Sequence, residues 1–367
     1  MKRLRSPLAT RGVSRQDKLG GEEMLFRYAR RALSLAVVAA ALTVGSIAAP
    51  EAAERKLSLG ANNNENDFIA DGFRFFAKRV GELSNGELEV EIFWSSQLGG
   101  AREMVQGVAA GSIDMQMDVI ELLVTLEPNI GALSLPLVFR DRDHFATFLG
   151  SDIFGEMLDT LDSKGIVFPD REGLKDPEIA KNWVRPYDRG LVSNKPVFTP
   201  DDLKGFKLRM YESEIPIKSW EALGASVQVV PWPDVYTSLA TGLVDGLTGT
   251  VTDNYEMKHF ERAAYWTNVH EYFQMMHPWM SKMTWDSLTD SQRKAIDDAA
   301  REASAEFGRL MADANRKSME KAQADYGVSI IIPPIGPWID KMKPAHADFE
   351  ARGLIQKGLV ARMQGIQ

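Results

Sequence analysis

Glu87, Glu89 and Glu91 alternate with Leu88, Val90 and Ile92, and a period of two places the two sets on opposite faces of an extended strand. Upstream, Ile69, Phe73, Phe76, Val80 and Leu83 recur at spacings of four and three, which predicts a helix from about residue 65 to 83 with one apolar side. Residues 56–60 read as a strand and Asn85-Gly86 as a turn. Strand, helix, strand implies a parallel crossover. A second helix over 101–110 leads through Gly111 into an extended segment over 113–119 and continues the α/β pattern.

The layout has an echo. VEIFW (90–94), a helix and AAGSID (109–114) are mirrored by VQVVPW (227–232), a helix and ATGLVD (240–245). Both end in Gly-x-x-Asp, with glycine as the helix stop and the acid three positions later. Two similar α/β units suggest two similar lobes, although convergent helix-stop chemistry would also produce the match. In GFKLRM (205–210), Phe206 and Leu208 point to one face and Lys207 and Arg209 to the other. Arg209 is therefore not required by the core, and it sits at the carboxyl end of a strand, where open α/β sheets bind ligands.

The last third is helical. Thr289-Asp290-Ser291-Gln292 forms a capping box, and Ala295, Ala299, Ala303, Phe307, Leu310 and Ala314 follow at spacings of three and four until Gly327. Such a helix either braces two lobes or breaks into a pair near Gly308.

Charge separates the first part of the chain from the rest. The first 48 residues hold nine Lys or Arg against three acids, while the whole chain has a net charge of −8, so the remainder is strongly acidic. After Arg27, Arg30 and Arg31 comes an uncharged run over 32–49 with a small-x-small exit at Ser46-Ile47-Ala48. Residues 1–48 are accordingly expected to be a leader and cleaved signal peptide, with Met24 as the functional start. A single-span anchor is the competing reading, and Arg30-Arg31 matches twin-arginine export poorly. With no cysteine in the 367 residues, disulfides, Cys-based metal sites and thiol nucleophiles are excluded. An exported, cysteine-free, acidic protein is expected in the periplasm, without nucleic acid as a partner.

TPDDLKGFKLR (199–209), EALGA (221–225), VPWPDVYTSLATGLVDG (230–246), WDSLTDSQRKAIDDAARE (285–302) and FWSSQLGGAREMVQGVAAGSID (93–114) resemble the extracytoplasmic solute-binding proteins of tripartite ATP-independent periplasmic (TRAP) transporters. The resemblance covers most of the chain after about Arg55. It implies a two-lobed α/β periplasmic binding protein fold with a ligand cleft between lobes and a long C-terminal helix. Lobe I is expected over 49–186 plus about 275–314, and lobe II over 187–274 plus about 315–367. It also implies a monomer that captures a small organic acid and passes it to TRAP membrane permease subunits, with no membrane insertion of its own after signal cleavage.

For individual residues the resemblance is uneven. In the family the arginine ending the KLR strand pairs with the ligand carboxylate, which is Arg209 here, and a second arginine 20 residues earlier is Arg189, five before Asn194. Many members place an asparagine after the VDG block. This chain reads Leu247-Thr248-Gly249-Thr250, so Thr248, Thr250 or Asn254 is the expected substitute. First-lobe contacts are expected near residues 62–66, with Asn64 as the representative, and near 118–121, with Asp118. Asp118 and Glu121 favour a ligand bearing a hydroxyl or an amine.

Among the aromatics, Tyr211 and Trp183 are the stronger candidates for lining the cleft, ahead of Trp94, Tyr187 and Trp232. Met275, Met276 and Trp279 are expected in the hinge return and core. GxxxxGK[ST], HExxH and GxSxG do not occur, and the five histidines show no metal pair at helical spacing. No cofactor, metal or catalytic residue is expected, although some members of the family hold a metal beside their ligand. A receptor for a membrane sensor kinase and an exported α/β enzyme are the alternatives.

Overall fold

The computed structural model describes residues 55–185 and 189–367; the expected leader and signal peptide, and Tyr187, lie outside them. Two sheets organise the described chain. The first contains β1 (Arg55–Gly60), β2 (Leu88–Phe93), β3 (Met115–Val119) and β4 (Ile166–Val167). The second contains β5 (Gly190–Ser193), β6 (Lys207–Met210), β7 (Ser226–Val229), β8 (Gly246–Gly249) and β9 (Tyr265–Thr267). The chain then returns to the first sheet with β10 (Met276–Ser281) and, after the long helix, to the second with β11 (Ser329–Ile331).

The sequence echo is a topological repeat. The first sheet runs β2-β1-β3-β10-β4 and the second, read from its far edge, β7-β6-β8-β5-β9 before β11. In both, the first three strands are parallel and the next two pairings antiparallel. The Gly-x-x-Asp motif does the same work twice. Gly111 and Gly242 take left-handed conformations, with φ of +78° and +70°, where a Cβ would be strained. Three residues on, the Asp114 carboxylate accepts from the Ser58 N–H at 2.9 Å and the Asp245 carboxylate from the Lys207 N–H at 2.8 Å. Each acid thereby binds the backbone of the parallel strand beside it, β1 or β6.

The helix expected from residue 65 runs instead over Ala70–Leu83. Local side-chain bonds compete with the helix ahead of it: Asp67 accepts from the Asn64 N–H, and Asn64 accepts from the Asn66 N–H. The other expected elements appear within two residues, as the helix Ala101–Ala109 and β3.

One continuous helix, Asp290–Tyr326, resolves the C-terminal alternatives in favour of a brace. At 1.5 Å per residue it is about 55 Å long. Thr289 and Gln292 cap it reciprocally, and Gly327 ends it at φ +64°. Its middle packs on the first sheet's side, where buried Phe307 meets Phe73 at 5.8 Å and Trp183 at 5.0 Å between ring centroids. Its last turns reach the second sheet: Ala322 belongs to a separate core with Val192, Leu247, Phe260 and Trp266, and Asp325 accepts from the Tyr255 hydroxyl. Among the described residues no helix is long and apolar enough to cross a membrane.

Two crossings between the sheets lie side by side. Val184 bridges Met275 in antiparallel fashion, the Arg185 N–H donates to the Gln274 carbonyl, and the Glu271 N–H donates to the Arg189 carbonyl. If the two acidic pins hold the repeats in register, Asp114→Ala and Asp245→Ala will each lower stability by about 1–3 kcal/mol, the cost of stranding a partly buried donor. Urea unfolding monitored by circular dichroism checks this, and loss from only one variant would show that the two motifs are not equivalent.

Candidate functional site

The repeat brings equivalent strand ends together. The carboxyl ends of β1, β3, β6 and β8 and the two crossing segments open onto a cleft of about 920 Å³, within the size range of small-molecule sites. Asn62 and Asn63 follow β1, Asp118 and Glu121 end β3, Arg209 and Tyr211 end β6, and Gly249 ends β8. Arg185, Arg189, Tyr272 and Gln274 come from the crossings.

Of the expected residues, the cleft collects Arg209, Arg189, Tyr211 and Asp118. Trp183 does not line it. The indole is fully buried against His277 and Phe307, because the helix Pro177–Trp183 turns its apolar side to the long helix. Asn64 also stays outside; it is exposed and spends its side chain on Asn66, while Asn62 and Asn63 face the cavity. Thr248 stands behind the surface and accepts from Arg189. Asn254 is fully buried, donating to the Thr250 carbonyl and facing His259 Nδ1 at 2.8 Å. A Cβ at Gly249 would fall 2.4 Å from the Asn254 Nδ2, so Asn254 already fills the space that a side chain at 249 would need. Thr250 caps the helix Val251–Glu256. Trp94 packs on Phe73 away from the cleft, whereas Trp232 lines it. Met275, Met276 and Trp279 are buried, and Met276 also touches the cavity.

The two buried arginines differ in what they already hold. Arg189 donates from Nε to Glu271 at 3.0 Å and from Nη2 to the Thr248 carbonyl and hydroxyl at 3.1 and 3.0 Å. It also lies over the Tyr272 ring at 5.1 Å. The buried Glu271 carboxylate takes a further bond from Trp220 Nε1. Arg209 has no carboxylate partner among the described residues. Its Nε donates to the Val230 carbonyl at 2.8 Å, and its guanidinium lies over the Trp232 ring at 5.3 Å. Burial, with Arg189 nearby, pulls its pKa down to about 10, so it remains a cation at neutral pH, and one in need of an anion.

Opposite charge gathers on the first sheet's side. Asp118 accepts from Asn62 at 2.5 Å and from the Val119 N–H at 2.8 Å, yet burial pushes its pKa up to about 6. Glu121 as a residue is half-buried, but both carboxylate oxygens are shielded and take no hydrogen bond from any other described residue; burial raises it to about 7 against the pull of its own N–H. Behind Trp232, His259 packs edge-on at 5.0 Å and is held neutral by burial, down to about 4.

Sequence reasoning missed Arg185, which pairs with Asp253 at 3.0 Å, and it missed Glu271, Tyr272 and Gln274. The one signal was a lone acid in the apolar run VHEYFQMM, where a buried charge implies a partner.

Residues 59–352 match the model for bacterial extracellular solute-binding proteins of family 7. The chain is 27% identical over 292 residues to the 2,3-diketo-L-gulonate-binding periplasmic protein of Escherichia coli, covering 80% of this chain and 84% of that one. It is 25% identical over 329 residues to the sialic acid-binding periplasmic protein of Vibrio cholerae, covering 86% and 94%. A TRAP periplasmic solute-binding protein from Chromohalobacter salexigens, solved with D-glucuronate, shares its fold with a TM-score of 0.75 at 22% identity over 85% of this chain and all of that one. These relatives and the matching family are binding proteins.

Glu121 sets a pH dependence with a definite sign. A carboxylic acid whose pKa rises from 4.5 to about 7 on folding binds protons more tightly in the native state, so its contribution to stability falls as pH rises through that window. His259 and His277, lowered to about 4 and about 3 by burial, act oppositely as pH falls below 6.5. The informative quantity is therefore the difference between wild type and Glu121→Gln. The ligand-free variant is expected to gain melting temperature over wild type progressively from pH 4.5 to 7 in scanning calorimetry. A constant gap across that range would mean Glu121 is not strained by its surroundings.

Proposed function

We propose that this chain, which belongs to the bacterial extracellular solute-binding proteins of family 7, captures a polyhydroxylated monocarboxylic acid of the sugar-acid class and delivers it to a TRAP-type transporter. The observation that carries the reading is Arg209. It is a buried cation at the end of a cleft strand, with Nε fixed by a carbonyl, a ring beneath it and no carboxylate partner among the described residues. A guanidinium held in that way offers parallel donors to a planar anion.

The geometry supports a role for each of these residues. Arg209 takes the ligand carboxylate, and Arg189, with Nε and Nη2 committed to Glu271 and Thr248, supports it with what remains of its fork. Tyr211 and Tyr272, 3.3 Å apart through their hydroxyls, offer a donor and an acceptor between the two sheets. Asn62 and Asp118 on the opposite wall suit sugar hydroxyls. Trp232 gives Arg209 its underside, and Thr248 and Asn254 act by holding the groups in front of them. Each lobe is one sheet with its helices, and closure about the paired crossings would bring the walls together around the ligand.

The relatives support the ligand class. Solved TRAP binding proteins of this fold carry D-glucuronate, β-D-galacturonate and L-galactonate, each a carboxylate on a hydroxylated carbon chain. The periplasm is the location consistent with such a role.

Calorimetric titration against D-glucuronate, D-galacturonate and L-galactonate tests the reading. At least one is expected to bind, and Arg209→Lys to weaken it at least about tenfold, the value of one charge-assisted hydrogen bond of about 1.5–3 kcal/mol. Circular dichroism confirms that the variant folds. Binding that survives Arg209→Lys unchanged would remove Arg209 from the clamp.

A further inference from the structure

The clefts of carboxylate receptors need cations, yet this one carries Asp67, Glu103, Asp118, Glu121, Asp253 and Glu256 among its lining residues. Most of these acids are already engaged. Asp67 holds Asn63 and the Asn64 N–H, Glu103 holds the Gly100 N–H, Asp118 holds Asn62, and Asp253 holds Arg185. Glu256 is exposed. Glu121 is the exception, since both its oxygens are shielded from solvent and take no hydrogen bond from any other described residue.

Its position makes that consequential. Glu121 is the second residue of the short 3-10 turn Ile120–Thr125 that follows β3, and it lies within electrostatic range of Arg189, Arg185 and Asp118. Arg189 makes no hydrogen bond to it, with Nε on Glu271 and Nη2 on Thr248. Beyond its own N–H, no donor among the described residues serves this carboxylate. A ligand hydroxyl or ammonium would once the side chain turns its carboxylate into the cleft it lines; a second ligand carboxylate would meet a like charge out of water, which costs several kcal/mol.

We infer that Glu121, seconded by Asp118, is the specificity-determining residue that makes the receptor accept acids with a donor group at the end remote from their carboxylate and reject dicarboxylic acids. The arginine clamp attracts any carboxylate, so discrimination falls to the opposite wall. Asp118 contributes by proximity, since two acids in one poorly hydrated wall repel an incoming anion more than either alone. The inference rests on the sugar-acid reading above and adds a direction of selectivity to it.

The test compares acids that share a skeleton and differ in one terminal oxidation: D-glucuronate with D-glucarate, and L-galactonate with galactarate. Titrations of the full mature protein at pH 8 keep the acidic wall ionised. Wild type is expected to prefer the monocarboxylate by about tenfold or more. Glu121→Gln, which keeps shape and hydrogen-bonding capacity but removes the charge, is expected to raise affinity for the dicarboxylate and narrow that ratio at least about fivefold. Asp118→Asn provides a second variant with a smaller effect in the same direction, so failure of one variant to fold leaves the ratio measurable. Equal wild-type affinities within both pairs, or a ratio untouched by both substitutions, would overturn the inference while leaving the sugar-acid reading intact. Binding of neither monocarboxylate by wild type would overturn that reading, and this inference with it.

Discussion

The ion pair between Arg189 and Glu271 decides what the rest of the cleft can do. Taking a guanidinium out of water costs several kcal/mol unless a partner and further hydrogen bonds come with it. Glu271 supplies the charge, Thr248 two acceptors and Tyr272 a ring. The same glutamate accepts from Trp220, donates its N–H to the Arg189 carbonyl and offers its carbonyl to Leu137. One residue thus ties its crossing segment to the neighbouring crossing, to the helix that carries Trp220 and to the loop at Leu137. The settled state of Arg189 is also what leaves Arg209 as the unbalanced cation.

That division of labour explains how a site with several acids still suits an anion. Arg185, Arg189 and Arg209 come from the crossings and the second sheet, and Asp118 and Glu121 face them from the first, while Asp253 on the second side is spent on Arg185. A ligand that spans the gap meets an attracting wall and an accepting wall. A polyhydroxylated monocarboxylate carries the matching asymmetry.

Much of the fold was legible because it rests on periodicity. The alternation at 87–92, the helix repeat ending at Leu83, the capping box at Thr289 and the Gly-x-x-Asp echo depend on local rules that leave marks on neighbouring residues. Arg209 and Tyr211 were legible for a related reason, since a strand end is a local feature. Trp183 misled because an aromatic near a strand end has the same local pattern whether it faces a cleft or, as here, the Phe307 ring of a helix more than a hundred residues later. Glu271 and Arg185 left no pattern; their importance comes from partners 82 and 68 residues away in sequence. Asn64 shows the limit at closer range, because which of three adjacent asparagines faces inward is set by the turn that Asp67 organises.

Gly249 carries a consequence of another kind. The amide of Asn254 sits where a side chain at 249 would begin, and it is held there by the Thr250 carbonyl and His259, whose ring backs the Trp232 indole beneath Arg209. A new side chain at 249 would evict Asn254 and loosen the stack under the clamp, while a smaller residue at 254 would leave a hole with nothing to fill it. Residues 249 and 254 are therefore coupled in packing: a side chain at 249 requires the Asn254 amide to move or to be replaced by a smaller group.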